Sequence, residues 1–460
     1  MQFLTLLVVL LLLTTIGFRL GRNRAVQVAG PKTSVLHSLP NYYGYYVALW
    51  CGVPALALIA LWLSCESTIL RSLVMDAMPA EARALAPERL ALMMNEVRNL
   101  SAAGDYSHAS DAVTAAAAEQ YHNLRSLSFA AMAVLSLSLA LVGGMLGLRF
   151  IHPNLRARNR VEAAVKVFLI ASSTVAIFTT LGIVLSLLFE SMRFFSVVPV
   201  TDFLFGLDWS PQMAMRTDQV GSSGAFGAVP LFTGTLLISL IAMIVATPIG
   251  LLSAIYMAEY AHPKFRSVAK PLLEVLAGIP TVVYGFFAVL TVAPFLRETG
   301  ALMGLSIASE SALATGIVMG IMIIPFISSL SDDVLTAVPD SLRQGAYGLG
   351  ATRSETIKQV IIPAALPGII GGLLLAISRA IGETMIVVMA AGLSAHLTAN
   401  PFEAVTTVTV QIVTLLVGDQ EFDSPKTLSA FALGLVLFIV TLVLNVVALH
   451  VVRKYREKYD

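Results

Sequence analysis

The chain alternates long apolar runs with short polar connections. Nine runs lie at about residues 3–18, 44–64, 127–148, 164–188, 231–256, 272–295, 311–330, 367–391 and 428–452. Each approaches or reaches the length at which a helix rising 1.5 Å per residue crosses about 30 Å of hydrocarbon. Helices satisfy their own backbone in lipid, so the pattern predicts an all-α, polytopic transmembrane helix bundle.

Two stretches break the rhythm. Residues 66–126 are charged and alanine-rich, with Leu90, Met93, Val97 and Leu100 at helical spacing and Pro79, Pro87 and Gly104 as punctuation. They predict an exterior helical hairpin. Phe402–Val417, within the exterior segment 393–426, is apolar but marginal in length for a span. The expectation there is a segment that lies at the membrane surface or dips into it.

Composition and charge agree with a membrane protein. Hydrophobic residues make up 57% and charged residues 12%, against about a quarter charged in soluble domains. A formal charge of +1 gives no reason to expect a nucleic-acid partner; membrane lipid is the expected surrounding. Cys51 and Cys65 form no disulfide framework, and the scattered His residues form no metal motif. No Gly-x-x-x-x-Gly-Lys-Ser/Thr loop occurs, so ATP binding in the usual P-loop manner is excluded. No metal or cofactor is expected on this chain.

The first run has no positive charge before it and Arg19, Arg22 and Arg24 behind it, the reverse of a secretory signal. It predicts a membrane anchor with its N-terminus outside. With nine spans, most of the 29 Lys and Arg residues then fall on the inner side, the terminal Arg453–Lys458 cluster among them. The same orientation puts the polar loop 338–363 and the C-terminus in the cytoplasm.

The rest of the chain is organised around Val338–Ala391. Its loop half, VPDSLRQGAYGLGATRSETIKQVIIPAALPG, predicts two short helices. Pro339 suits the first position of one, Gly350 suits its left-handed close, and Thr352 with Glu355 has capping-box spacing for the next. Pro363 and Pro367 are expected to end that second helix and to form a short rigid elbow into the span. In the span, Arg379 and Glu383 stand four apart on one helix face, and Arg379 falls about 18 Å beyond Pro367, near the bilayer centre. An ionised residue at that depth faces the bundle interior and marks a functional site by default.

Ala346, Gly350 and Pro363 resemble the EAA loop of ABC importer permeases, a cytoplasmic helix-turn-helix that docks on an ATPase subunit. Gln344 and Gly345 stand where that family usually has Glu-Ala. The segment SRAIGETM resembles the signature of phosphate-specific importer permeases of the PstC type. From residue 163 to the C-terminus the chain is similar to their six-span core, FGAVPLFTGTLLISLIAMIVATPIGLLSAIYMAEYA and LLEVLAGIPTVVYGFFAVL included. The resemblance implies a type I permease domain over 163–460, preceded by a three-span extension over 1–162. It implies half of a translocation path, a second related permease subunit, two ATPase subunits that use the ATP, and an exterior phosphate-binding protein. The class implies a bacterial inner membrane.

By the same resemblance Arg379 and Glu383 line the path. A guanidinium stays charged and donates paired hydrogen bonds to phosphate oxygens. Glu383 either holds Arg379 in an ion pair or accepts a proton from hydrogen phosphate. Ser378 and Thr384 flank them as hydroxyl donors, and Gly278, Pro280, Tyr284 and Gly285 are candidates for the path lining. A permease for sulfate, molybdate or phosphonate, and a proton-coupled secondary transporter, are the rival readings.

Overall fold

A computed structural model describes residues 2–30, 35–79, 83, 87–104, 109–211, 224–417 and 424–456. Among them, nine helices are long and apolar enough to cross a membrane: Phe3–Ala29, Pro40–Ala77, Ala112–Arg149, Ala157–Phe195, Val229–Tyr260, Thr281–Leu302, Ala312–Thr336, Arg353–Ile381 and Pro425–Lys454. The chain divides into two compact units, Met1–Phe178 and Thr179–Asp460.

In the first unit, α1 (Gln2–Ala29), α2 (Pro40–Ala77) and α4 (Ala112–Arg149) pack together. A Cβ on Gly143 would stand 2.1 Å from the Trp50 carbonyl oxygen, so the missing side chain lets α4 meet the backbone of α2. The segment 66–126, expected as an exterior helical hairpin, is mainly helical among its described residues and continuous with the flanking spans. No helix breaker intervenes before Pro79, so α2 runs on to Ala77, and α4 begins as early as Ala112. These two extensions and α3 (Pro87–Ala103) bury Leu70, Val74, Val97, Ala118 and Tyr121 in a small core of their own.

The long α5 (Ala157–Phe195) and the short α6 (Val200–Phe205) lead into the second unit. That unit is centred on α7 (Val229–Ile255) and α11 (Ala312–Thr336). A Cβ on Gly316 would strike Ile241, and one on Gly250 would strike Ile327, so the two helices run parallel at close range. Between them the expected span 272–295 splits. Pro280 lacks the amide a continuous helix needs and disfavours helical geometry at Ile279. The chain therefore forms α8 (Pro263–Ala277), turns through Gly278–Pro280, and restarts as α9 (Thr281–Phe287), which leads through a π turn into α10 (Ala293–Leu302).

The segment 402–417, expected to lie at the membrane surface or dip into it, is helical in part. It contains α16 (Val408–Leu416), whose Val408, Thr409, Val410, Gln411 and Leu415 are buried within the second unit. Its polar side chains are satisfied there: Gln411 accepts from Trp209 Nε1 at 3.0 Å and donates to the Leu393 carbonyl at 2.8 Å. The last helix, α17 (Pro425–Arg456), closes the unit, and the end of the Arg453–Lys458 cluster lies outside the described residues.

Candidate functional site

The coupling loop forms much as its residues dictate. Helix α12 covers Asp340–Gly348, and Gly350 follows at φ +86°, a left-handed conformation that a Cβ resists. The capping box is complete: the Thr352 hydroxyl accepts the Glu355 amide while the Glu355 carboxylate accepts the Thr352 amide at 2.8 Å. Gln344, Gly345 and Ala346 lie within α12, and no atom stands within 4 Å of where a Cβ on Gly345 would be.

Pro363 and Pro367 do not end the second helix. From Arg353 the chain stays helical to Ile381, through α13 (Arg353–Thr356), a π turn at Ile357–Ile361 and α14 (Ile362–Ile381). In the widened turn the Ile362 amide bonds the Ile357 carbonyl five residues back, and Pro363 follows immediately. The missing amide thus falls where the ladder has already changed register. Loop and span are joined by one helix rather than by an elbow.

Two arginines tie this loop to the end of α7. Arg343 is held by the Glu259 carboxylate at 3.1 Å and donates to the Leu335 carbonyl at 2.8 Å and to that of Val338. The Arg353 guanidinium lies 5.0 Å from the Tyr260 ring centroid. Both partners belong to the π turn Tyr256–Tyr260.

At the other end of the long helix stands Arg379. Its guanidinium lies 5.6 Å from the Phe326 ring centroid, with Nη2 3.9 Å from the Met322 sulfur. Among the described residues it pairs with no carboxylate. Of the two roles open to Glu383, the ion pair with Arg379 is not formed, because α14 ends at Ile381 and Glu383 lies past the break. The Glu383 carboxylate instead accepts the Met385 amide at 3.1 Å and the Ile386 amide at 3.5 Å, at the start of α15 (Met385–Ala390). The break is also held from α16, where Thr409 donates to the Glu383 carbonyl at 2.9 Å. Ser378 lies on α14 ahead of the break, and the Thr384 hydroxyl faces the Gly382 carbonyl at 3.4 Å.

Arg379 lines a cavity of about 320 Å³ with Met257, Lys270, Glu274, Met322, Phe326, Ser328 and Asp332 among its walls. At its far end Asp332 is fully buried and held by two cations. Arg266 Nη2 meets its two oxygens at 2.9 and 3.0 Å, and Lys270 Nζ meets Oδ2 at 2.8 Å. The hydrogen bond to Asp332 raises the Lys270 pKa above its ordinary value, so this ammonium is charged at neutral pH. Sequence reading missed this cluster, whose two cations lie more than sixty residues from Asp332. The signal was present as Asp332 and Asp333 at the end of an otherwise uncharged run.

None of Gly278, Pro280, Tyr284 and Gly285 lines this cavity. Gly278 and Pro280 make the turn after α8. Tyr284 is buried and donates to the Leu276 carbonyl at 2.9 Å. A Cβ on Gly285 would stand 2.8 Å from that of Met389, which lets α9 pack on α15.

Comparison with known proteins places this arrangement. Residues 246–457 match the model of the binding-protein-dependent transport system inner membrane component, and residues 7–179 match a family described as a phosphate ATP-binding cassette transporter. A PstC phosphate transport permease of Pasteurella multocida is 32% identical over 60% of this chain and 87% of its own length. One from Mesorhizobium japonicum is 35% identical over 48% of this chain and 72% of its own. YqgH of Bacillus subtilis, named a probable ABC transporter permease protein, is 34% identical over 62% of this chain and 86% of its own. The chain belongs to the PstC-type ABC permease family. It is a multi-pass inner-membrane protein of that class, whose members work with ATPase and binding-protein partners.

Proposed function

We propose that this chain forms half of the translocation path of an ATP-driven phosphate importer, with a second related permease subunit as the other half. The observation that carries the reading is the position of Arg379. Among the described residues it is a guanidinium without a carboxylate partner, on a cavity, in a helix that runs unbroken from the coupling loop. Such a group replaces part of the hydration a phosphate loses on entering the membrane, through paired charge-assisted hydrogen bonds. Relatives named for phosphate transport support the substrate.

One of two ATPase subunits docks on residues 338–363, and the pair supplies the ATP hydrolysis; the chain itself is non-catalytic and binds no cofactor. Closure of the ATPases moves α12, and the Arg343–Glu259 and Arg353–Tyr260 contacts carry that motion to α7 while the continuous helix carries it to Arg379. The N-terminus and the segment 393–426 face outside, where an exterior phosphate-binding protein delivers its load. The C-terminus is cytoplasmic, and residues 1–162 form an extension of the six-span domain. Glu383 shapes the break that ends the Arg379 helix.

Uptake of labelled phosphate, sulfate, molybdate and phosphonate in cells lacking this gene, with and without the intact chain, tests the assignment. The chain is expected to restore phosphate uptake alone, and only while ATP is present. Restoration of another oxyanion in its place, or uptake that persists without ATP on a proton gradient, contradicts it.

A further inference from the structure

Two cavities meet at Lys270. The first, about 320 Å³, has Arg379 on its wall together with Lys270, Ser328 and Asp332. The second, about 560 Å³, is lined by Arg266, Ser267, Lys270, Pro271 and Glu274 among others. Met257, Lys270 and Glu274 belong to both walls. Along α11, Met322 beside Arg379 and Asp332 beside Lys270 are separated by about 15 Å of helix axis. The second cavity sits at α8, which follows the same π turn that holds the coupling loop. A line of cations thus descends from Arg379 through Lys270 to Arg266, toward the membrane face that bears α12.

We propose that Lys270 is a second anion-contacting residue of the path: it takes phosphate from the Arg379 cavity into the Arg266 cavity by exchanging Asp332 for the anion. The inference rests on the phosphate reading above.

Three features of the cluster fit exchange better than a static ion pair. Lys270 also meets Asp333 Oδ1 at 3.1 Å, but that carboxylate is exposed and water can replace the contact. Asp332 remains neutralised when Lys270 leaves it, because Arg266 engages both of its oxygens, so no lone charge is stranded in a low-dielectric site. Lysine presents a compact charge with three donors on a flexible stem, suited to a passing contact, whereas the guanidinium fork of Arg379 suits capture. Glu274, one turn from Lys270 and on both cavity walls, repels an anion that lingers. Conduction needs sites strong enough to enter and weak enough to leave. Ser328 adds a buried hydroxyl with no hydrogen-bond partner among the described residues, on the Asp332 side of the first cavity.

The test is phosphate uptake in a strain deleted for this gene and complemented with the intact chain, Lys270→Gln, Lys270→Arg, Asp332→Asn or the double variant Lys270→Gln/Asp332→Asn. Rates are taken per amount of chain recovered with its ATPase, and Lys270→Met replaces the glutamine variant if that is not recovered. Lys270→Gln is expected to lower the maximal rate at least tenfold, with the phosphate concentration at half-maximal uptake unchanged. Lys270→Arg is expected to fall between the intact chain and Lys270→Gln, since it keeps the charge but holds the anion longer, and the double variant to be as slow as Lys270→Gln. A Lys270→Gln rate within twofold of the intact chain overturns the proposal. Recovery of the double variant to the intact rate also overturns it, because the pair then serves packing alone. An intact chain that restores no phosphate uptake overturns the phosphate reading and this inference with it, an outcome visible before any variant is compared.

Discussion

Arg343 in the coupling loop and Glu259 at the end of α7 lie 3.1 Å apart, and both are largely shielded from water at 15% and 7% exposure. Glu259 is thereby tied to the one helix of the loop that an ATPase would move. Removing a single partner from such a pair leaves a shielded charge uncompensated, at a cost of about 3 kcal/mol. Arg343→Ala also takes away the donor to the Leu335 and Val338 carbonyls. It is expected to lower ATP-driven uptake at least tenfold and Glu259→Gln to lower it less, measured per amount of membrane-inserted chain. Equal effects of the two variants would mean that the carbonyl contacts of Arg343 add nothing.

Gly350 and Gly345 should respond to alanine in opposite directions. At Gly350 the cost is conformational, about 1–2 kcal/mol for a Cβ at φ +86°, with no neighbour to clash with. At Gly345, within α12 and with open space at the Cβ position, alanine should stabilise by about 0.5–1 kcal/mol. Thermal unfolding of the purified complex reads both signs.

Much of this loop was legible from sequence because its signals are local. A glycine at a helix end and a capping box are each read within a few residues. The continuous helix past Pro363 was not legible, since the π turn that absorbs the proline depends on the packing of Ile357 and Ile361 against Leu335 and Ala365. Four-residue spacing put Arg379 and Glu383 on one helix face, which holds only while the helix lasts. Gly382 ends it, and Thr409 from a segment read as exterior completes the break. Asp332 escaped notice because its partners lie in α8, beyond the reach of any periodicity.

Glu383→Gln keeps an acceptor for the Met385 and Ile386 amides, whereas Glu383→Ala removes it. Uptake is expected to stay within threefold of the intact chain for the glutamine variant and to fall at least tenfold for alanine. Equal loss in both would return Glu383 to the role of proton acceptor, which an amide cannot fill.

Gly234 lets the backbone of 405–406 lie directly on α7, since a Cβ there would stand 2.1 Å from the Thr406 carbonyl oxygen. The next residue, Thr235, accepts the Val408 amide at 3.1 Å, and so helps set the height of Thr409 against the break. Gly234→Ala must displace this segment, at about 1–3 kcal/mol. A lower melting temperature together with reduced uptake is expected, and an unchanged melting temperature would show that the segment yields freely.

The most direct measurement is micromolar uptake of radiolabelled phosphate in cells lacking this gene, complemented with the intact chain, Arg379→Ala or Arg379→Lys at matched membrane levels. Uptake restored by the intact chain, partly by lysine and at least tenfold less by alanine is the predicted result, since a lysine keeps the charge but loses the paired donors. Full restoration by Arg379→Ala would reduce Arg379 to a packing residue and contradict the account.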